Sequence, residues 1–281
     1  MPETPKPATR FLAFDTSTDR LSIAVTDGVR VWQHSGGGGA QASHTLIPAI
    51  LGLLAEAGLQ LGELDAIAFG RGPGSFTGLR TACAVAQGLA FGARHGAGMP
   101  VLPIDTLMAV AEEARFQMRG GLHPSSTSSG QGKHLPKIEG VETNTLKITA
   151  LLDARMNEMY VQSYEFNSFI WTQTVGCELI RPENLADYLR RVPGTPLLAG
   201  NVFDVYAPRL PAALGGIPHI DALPTATALL RLAPALAADG QCVDASLALP
   251  LYVRDKVAFT TEERAASKAL AAQNVANHPG T

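Results

Sequence analysis

Short apolar runs separated by polar turns open the chain and predict strands. FLAFD (Phe11 to Asp15) reads as one strand, TSTDR as a polar turn and LSIAV (Leu21 to Val25) as a second strand, with Asp27 and Gly28 supplying the next turn. A third strand, VRVWQHS, runs into Gly36 to Gly39, a glycine run in which no regular element is expected. From Ser43 the apolar spacing changes to that of a helix, capped by Ser43 or Thr45 and stopped at Gly58. DAIAFGRG (Asp65 to Gly72) predicts a buried strand entering a glycine-rich loop. A helix of small residues follows from Thr77 to about Arg94, then a strand PVLPI (Pro100 to Ile104) and a helix through about Gln117.

The segment from Arg119 to Thr145 is rich in Gly, Ser and Pro and almost free of large apolar residues, so it predicts a flexible insertion. After it the opening scheme recurs. LKITALLD ends in Asp153 as FLAFD ends in Asp15, ARMNE is the polar turn and MYVQSYEF the answering strand. Two copies of strand, acidic turn, strand predict two similar α/β lobes with a cleft between them. The expected division is an N-terminal lobe over 10–104, a smaller C-terminal lobe over 105–260 and an extension over 261–281, rich in alanine.

At 281 residues the chain is long enough to bury a sizeable core. Lys and Arg number 22 against 25 Asp and Glu, a net charge of -3 without a block of either sign, which is not the electrostatic footprint of a nucleic-acid binder. The three cysteines, Cys83, Cys177 and Cys242, lie far apart and suggest neither a disulfide framework nor a zinc site. The N-terminus MPETPKPATR reads as neither a signal peptide nor a membrane span, so the expectation is a cytoplasmic protein without a membrane partner.

The loop GPGSFTG (Gly72 to Gly78) sits between a strand and a helix, where backbone amides can hold a phosphate or carboxylate. Its glycine spacing is not the dinucleotide fingerprint, Pro73 removes one donor, and no lysine follows in P-loop register. An anion cradle and a tight turn that seats the helix both remain open. Asp15 and Thr16 could orient a metal-bound phosphate or simply satisfy their own turn. Asp15, Thr16, Gly72, Gly74 and Ser75 thus form a possible vestigial nucleotide or anion loop. Ser75 lacks the flanking glycines of a nucleophile elbow. None of the seven histidines has a partner three or four residues away, so no helix-borne metal pair is expected.

Two helices carry the strongest signal. HTLIPAILGLLAEA spreads Leu46, Ile47, Ile50, Leu51, Leu53 and Leu54 around most of its circumference, where a surface helix shows a single apolar stripe. TGLRTACAVAQGLAFGAR sets Ala84, Gly88 and Gly92 at four-residue spacing beside a row of Ala82, Ala86 and Ala90. Small residues so spaced admit a second helix closely. Both helices read as buried on two sides, one side covered either by a partner or by another part of the same chain.

Six segments together, FLAFDTSTDRLSIAV, ASHTLIPAI, DAIAFGRGPGSFTGLRTACAVAQGLAFG, PVLPIDTL, LLDARMNEMYVQSY and LPLYVRDKVAF, resemble the TsaB family. This family, also called YeaZ-type or Gcp-like, is the dimerisation subunit of the bacterial tRNA threonylcarbamoyladenosine machinery. The resemblance runs from about residue 10 to 260. It implies an actin-like two-lobed α/β fold of the ASKHA type, shared with sugar kinases and heat-shock chaperones, with ribonuclease-H-like sheets. It also implies a non-catalytic scaffold that binds and activates a TsaD-type catalytic subunit, with a TsaE-type ATPase docking on the pair. A homodimer is expected when the chain is isolated, with tRNA contacted only through the complex and no cofactor. The catalytic relatives bind a metal through a His-x-x-x-His pair, where this sequence has His44 and Pro48. The family pairs through its first two helices, and the residues assigned to that surface are Leu46, Ile50, Leu53, Leu54, Leu79, Ala82, Cys83, Ala86, Gln87 and Ala90. An autonomous enzyme of the same fold, a glycoprotease-like peptidase or a small-molecule kinase, is the alternative.

Overall fold

A computed structural model describes residues 9–39, 42–93, 98–120 and 145–254. Most of the expected insertion and all of the expected C-terminal extension lie outside the described residues. The first sheet takes its strands from the opening pattern: β1 (Phe11–Asp15), β2 (Arg20–Thr26), β3 (Val31–Gly37), β4 (Ala66–Gly72) and β5 (Val101–Asp105). Their order is β3-β2-β1-β4-β5, with β1 antiparallel to β2 and parallel to β4. The second sheet comprises β6 (Thr145–Asp153), β7 (Met159–Asn167), β8 (Ile170–Ile180), β9 (Leu197–Gly200) and β10 (His219–Asp221), in the order β10-β9-β6-β7-β8. Read from its first strand, each sheet has the same plan. A hairpin and a third antiparallel strand extend one side, and two parallel strands reached by crossovers extend the other. The recurrence of an Asp-terminated strand at Asp15 and Asp153 is the sequence trace of this duplication.

Central strands with helices on both faces need apolar residues at every position. In β1, Leu12 and Phe14 enter one core with α1 (Ala42–Ala57) and α2 (Phe76–Gly92), while Phe11 and Ala13 enter another with α6 (Ala226–Ala238). On the second sheet Ile148, Ala150 and Leu152 meet α3 (Thr106–Met118). Leu151, on the opposite face, packs near the short helices α4 (Leu185–Leu189) and α5 (Phe203–Tyr206). A cut at 104/105 therefore separates α6 from the sheet it covers.

The seam between α3 and α6 is charged and buried. Arg231 donates from Nε to Glu112 at 2.8 Å and from Nη2 to Glu113 at 2.7 Å, and Glu112 also accepts from Arg115 at 2.7 Å and from the Trp171 indole at 3.1 Å. Buried carboxylates persist when paired and hydrogen-bonded in this way.

The glycine run differs from its expectation. Gly36 and Gly37 belong to β3, opposite Leu21 and Arg20. Ladder pairing uses only backbone groups, so the missing side chains do not prevent it. Helix α1 starts at Ala42, ahead of the expected caps, and ends as expected before Gly58, whose φ of 68° suits glycine. No helix among the described residues is long and apolar enough to cross a membrane.

Candidate functional site

Helices α1 and α2 lie side by side on one face of the first sheet, and their periodicity decides which residues that face consumes. Leu46, Ile50, Leu53 and Leu54 of α1, and Leu79, Ala82, Cys83, Ala86 and Ala90 of α2, are all buried within the chain. This corrects their assignment to a partner surface. The sheet takes the larger aliphatics of α1, and the Ala82, Ala86, Ala90 row lets α2 lie low against it. Burial pushes the Cys83 thiol up to about 11. Gln87 is half-buried and donates its Nε2 to the Ala248 carbonyl at 3.3 Å.

The residues left outward are their neighbours on the helical wheel. Ile47, Leu51 and Phe91 are 43 %, 51 % and 54 % exposed. Ala84, Gly88 and Gly92, the other small-residue row, are exposed too. A Cβ built at Gly52, Gly88 or Gly92 meets no described heavy atom outside its immediate surroundings within 4 Å. The result is an outward face of apolar side chains and bare glycines. Sequence periodicity identified both small-residue rows but not which one turned outward, because that depends on where β1 and β4 lie.

The loop Gly72 to Gly78 is packed onto the β1–β2 turn. The Thr16 hydroxyl donates to the Gly78 carbonyl at 2.7 Å, and the Ser75 N–H donates to the Ser17 carbonyl at 2.7 Å. Ser75 caps α2 by accepting from the Gly78 N–H at 3.4 Å. A Cβ at Gly78 would stand 1.9 Å from the Thr16 carbonyl oxygen, so this close approach needs glycine. The structure thus brings Thr16, Gly74 and Ser75 together as a seat for α2, with at least the Ser75 and Gly78 amides spent inside the protein. Asp15 lies beneath. Its Oδ1 accepts from the Ser17 N–H at 2.9 Å and hydroxyl at 2.6 Å, while its Oδ2 is buried against Gly70 without a hydrogen-bond partner. Burial raises its pKa to about 6 against the opposing pull of the Ser17 hydrogen bonds.

The carboxyl ends of β1 and β6 face a cleft of about 690 Å³ lined by Ser17, Thr18 and Asp19 from one sheet and Asp153, Arg155, Met156 and Asn201 from the other. Open α/β sheets characteristically place ligand sites at such strand ends. The β6–β7 turn carries three successive non-glycine residues in the left-handed region, Arg155, Met156 and Asn157, with φ of 61°, 55° and 62°. Each such residue costs on the order of 1 kcal/mol. From this turn Arg155 reaches Asp19 on the opposite wall and pairs with Asp153 at 3.3 Å. The last described segment, 248–254, runs along the cleft: the Leu251 N–H donates to the Arg71 carbonyl at 2.8 Å, and Tyr252 stacks on Phe76 with ring centroids 5.1 Å apart. Arg254 then reaches the β6–β7 turn, donating to Glu158 at 2.8 Å and the Ala154 carbonyl at 3.0 Å. Sequence reading missed Arg155, Tyr252 and Arg254. Asn157 hinted at a left-handed turn, but Arg155 and Met156 carry no such signal. Among the described residues no three His, Cys, Asp or Glu side chains are grouped as metal ligands.

Two sheets of duplicated ribonuclease-H-like plan, each flanked by helices and facing a common cleft, define an actin-like ASKHA-type protein. A family profile described as "TsaD: tRNA N6-adenosine threonylcarbamoyltransferase" matches residues 39–136. The tRNA threonylcarbamoyladenosine biosynthesis protein TsaB of Haemophilus influenzae is 32% identical over 259 residues, covering 88% of this chain and 94% of that protein. The Escherichia coli protein of the same name is 28% identical over 253 residues, covering 89% of this chain and 96% of its own length. Among solved structures, YeaZ from Pseudomonas aeruginosa superposes with a TM-score of 0.68 at 32% identity, covering 87% of this chain and 99% of that one. The chain belongs to the TsaB family.

Proposed function

We propose that this chain is the non-catalytic scaffold and dimerisation subunit of a tRNA threonylcarbamoyladenosine-forming complex, binding and activating a TsaD-type catalytic subunit through the outward face of α1 and α2. The observation that carries this reading is the composition of that face. Ile47, Leu51 and Phe91 stand exposed on the same two helices as Gly52, Gly88 and Gly92, whose Cβ positions are empty, and small residues on an apolar helix face let a second helix approach closely enough for dense packing. The same face would close a homodimer in the isolated chain, because a self-complementary patch satisfies two-fold symmetry. In this reading the TsaE-type ATPase docks on the assembled pair, and tRNA is met only through the complex.

The scaffold role is also favoured by how the nucleotide-like elements are used. Asp15 is turned beneath Gly70 rather than lining the cleft, and the Gly72 to Gly78 loop, although Gly74, Ser75 and Phe76 line the cleft, spends the Ser75 and Gly78 amides on seating α2. The test is a binding isotherm, by analytical ultracentrifugation, between the chain and a purified TsaD-type subunit. Parent chain is expected to form a stable complex and Leu51→Arg to form none while keeping the parent circular dichroism spectrum. Equal binding by both would remove the outward face as the docking surface. Hydrolysis of ATP or a peptide by the chain alone would favour the autonomous enzyme.

A further inference from the structure

Arg254 holds the β6–β7 turn from outside. Its guanidinium donates to the Ala154 carbonyl at 3.0 Å, the Arg155 carbonyl at 3.4 Å and the Glu158 carboxylate at 2.8 Å, so one side chain grips both ends of the turn. That turn is the one with Arg155, Met156 and Asn157 in the left-handed region, and a non-glycine backbone stays there only when its surroundings hold it. Within the turn the contacts are few: Ala154 N–H to the Glu158 carbonyl, Glu158 N–H to the Arg155 carbonyl, and Arg155 N–H to Asp153 Oδ1. From outside, the Tyr206 hydroxyl lies 2.7 Å from Asp153 Oδ1 and 3.1 Å from the Glu158 carbonyl oxygen at the base of the turn, while Arg254 also reaches the Met156 sulfur at its tip, at 2.7 Å. The left-handed shape aims Arg155 across the cleft at Asp19. Arg254 is itself anchored to the first sheet, since the strap 248–254 bonds to Arg71 through Leu251 and to Arg80 through the Tyr252 hydroxyl, which accepts from Arg80 Nε at 3.0 Å.

We propose that the strap is a latch: Arg254 holds the β6–β7 turn in its left-handed form, and that form keeps the Arg155–Asp19 bridge shut across the cleft mouth. Arg254 is a positioning residue in this arrangement. Access to the cleft is set by the strap, and lifting the strap releases both turn and bridge. The inference rests on contacts within this chain and is independent of the docking face on α1 and α2.

The test uses the full-length chain in four forms: parent, Arg254→Lys, Arg254→Met and Asp19→Asn. Hydrogen exchange followed by mass spectrometry reads a peptide over 153–159 against a reference over 146–152 in β6. Labelling by phenylglyoxal, located by mass spectrometry, reads whether Arg155 is paired. Arg254→Met is expected to speed exchange of the turn by about tenfold, the ratio given by losing one hydrogen bond to a charged group. The reference peptide should stay unchanged and Arg155 labelling should rise. Arg254→Lys keeps a charge for Glu158, but with one donor nitrogen in place of two it cannot hold the Ala154 and Arg155 carbonyls and the Met156 sulfur together, and should fall between parent and Arg254→Met. Asp19→Asn should raise Arg155 labelling and leave turn exchange at the parent rate, because the bridge follows from the shape of the turn. Turn exchange at the parent rate in both Arg254 variants overturns the proposal. So does a rise in turn exchange in Arg254→Met without a rise in Arg155 labelling, or an Asp19→Asn turn as loose as that of Arg254→Met. If Arg254→Met also loosens the β6 reference, Arg254→Lys decides: a turn matching the parent overturns the latch, and an intermediate one supports it.

Discussion

Replacing Gly88 by glutamate should abolish association while leaving the folded monomer intact or slightly firmer. Gly88 lies in the interior of α2, and its Cβ position meets no described atom outside its own surroundings within 4 Å. Adding a side chain there relieves the glycine penalty in a helix, a gain of about 0.5 to 1 kcal/mol. Docking would then bury an unpaired carboxylate at a close helix contact, at a cost of several kcal/mol, and roughly 4 kcal/mol weakens association about a thousandfold. Ala86 is the control. It sits two residues away and is fully buried in the core beneath α2. Ala86→Arg forces a charge and four extra side-chain torsions into packed space, and a penalty on the order of 5 kcal/mol approaches the whole stability of a typical domain. Thermal melts by circular dichroism should show Gly88→Glu at or above the parent Tm and Ala86→Arg unfolded or far below it. Sedimentation of the folded variant should then show loss of self-association and of TsaD binding. A destabilised Gly88→Glu, or one that associates like the parent, would refute the assignment of this row as the outward face.

Asp15 should give the chain a stability component opposite to that of most carboxylates. Its folded pKa of about 6 lies above the 3.8 of an aspartate in water, so its stabilising contribution is complete below the unfolded pKa and is lost as pH rises through about 6. A shift of about two units corresponds to roughly 3 kcal/mol, and subtracting the pH 4 to 7 unfolding profile of Asp15→Asn from that of the parent should isolate it. A flat difference curve would mean that Asp15 is not buried as described. Arg231→Met should destabilise by about 3 to 5 kcal/mol in urea, because it strips the buried Glu113 of its charged partner, and Arg231→Met combined with Glu113→Leu should recover part of the loss. Additive losses would contradict a paired seam. Gly78→Ala should lower Tm sharply, since its Cβ would stand 1.9 Å from a backbone carbonyl that cannot retreat without moving the β1–β2 turn. A parent-like melt would show that α2 is not seated through Thr16.

What the sequence revealed and what it hid divide along physical lines. The duplicated plan was legible because each first strand carries a run of apolar residues that ends in an aspartate and is followed by a polar turn, a pattern written locally in FLAFD and in the ALLD end of LKITALLD. Helix α1 stopped at Gly58 for a similarly local reason, the left-handed φ that glycine accepts. The orientation of α1 and α2 was not legible: a helix apolar around most of its circumference presents two candidate faces, and only the position of the sheet selects Ile50 inward and Leu51 outward. The charged seam was hidden for another reason, since Arg231 lies 118 and 119 residues from its partners Glu113 and Glu112. The Arg155–Asp19 bridge spans 136 residues and depends on a backbone conformation that arginine and methionine do not advertise.

The most direct measurement is threonylcarbamoyl transfer to tRNA by a purified TsaD-type subunit, with its ATPase partner and threonylcarbamoyl-adenylate supply, assayed without this chain, with the parent chain and with Gly88→Glu. The scaffold role predicts no transfer by the chain alone, strong stimulation of the TsaD-type subunit by the parent chain, and none by the folded Gly88→Glu variant. Transfer by the chain alone, or equal transfer in all three mixtures containing the TsaD-type subunit, would contradict it.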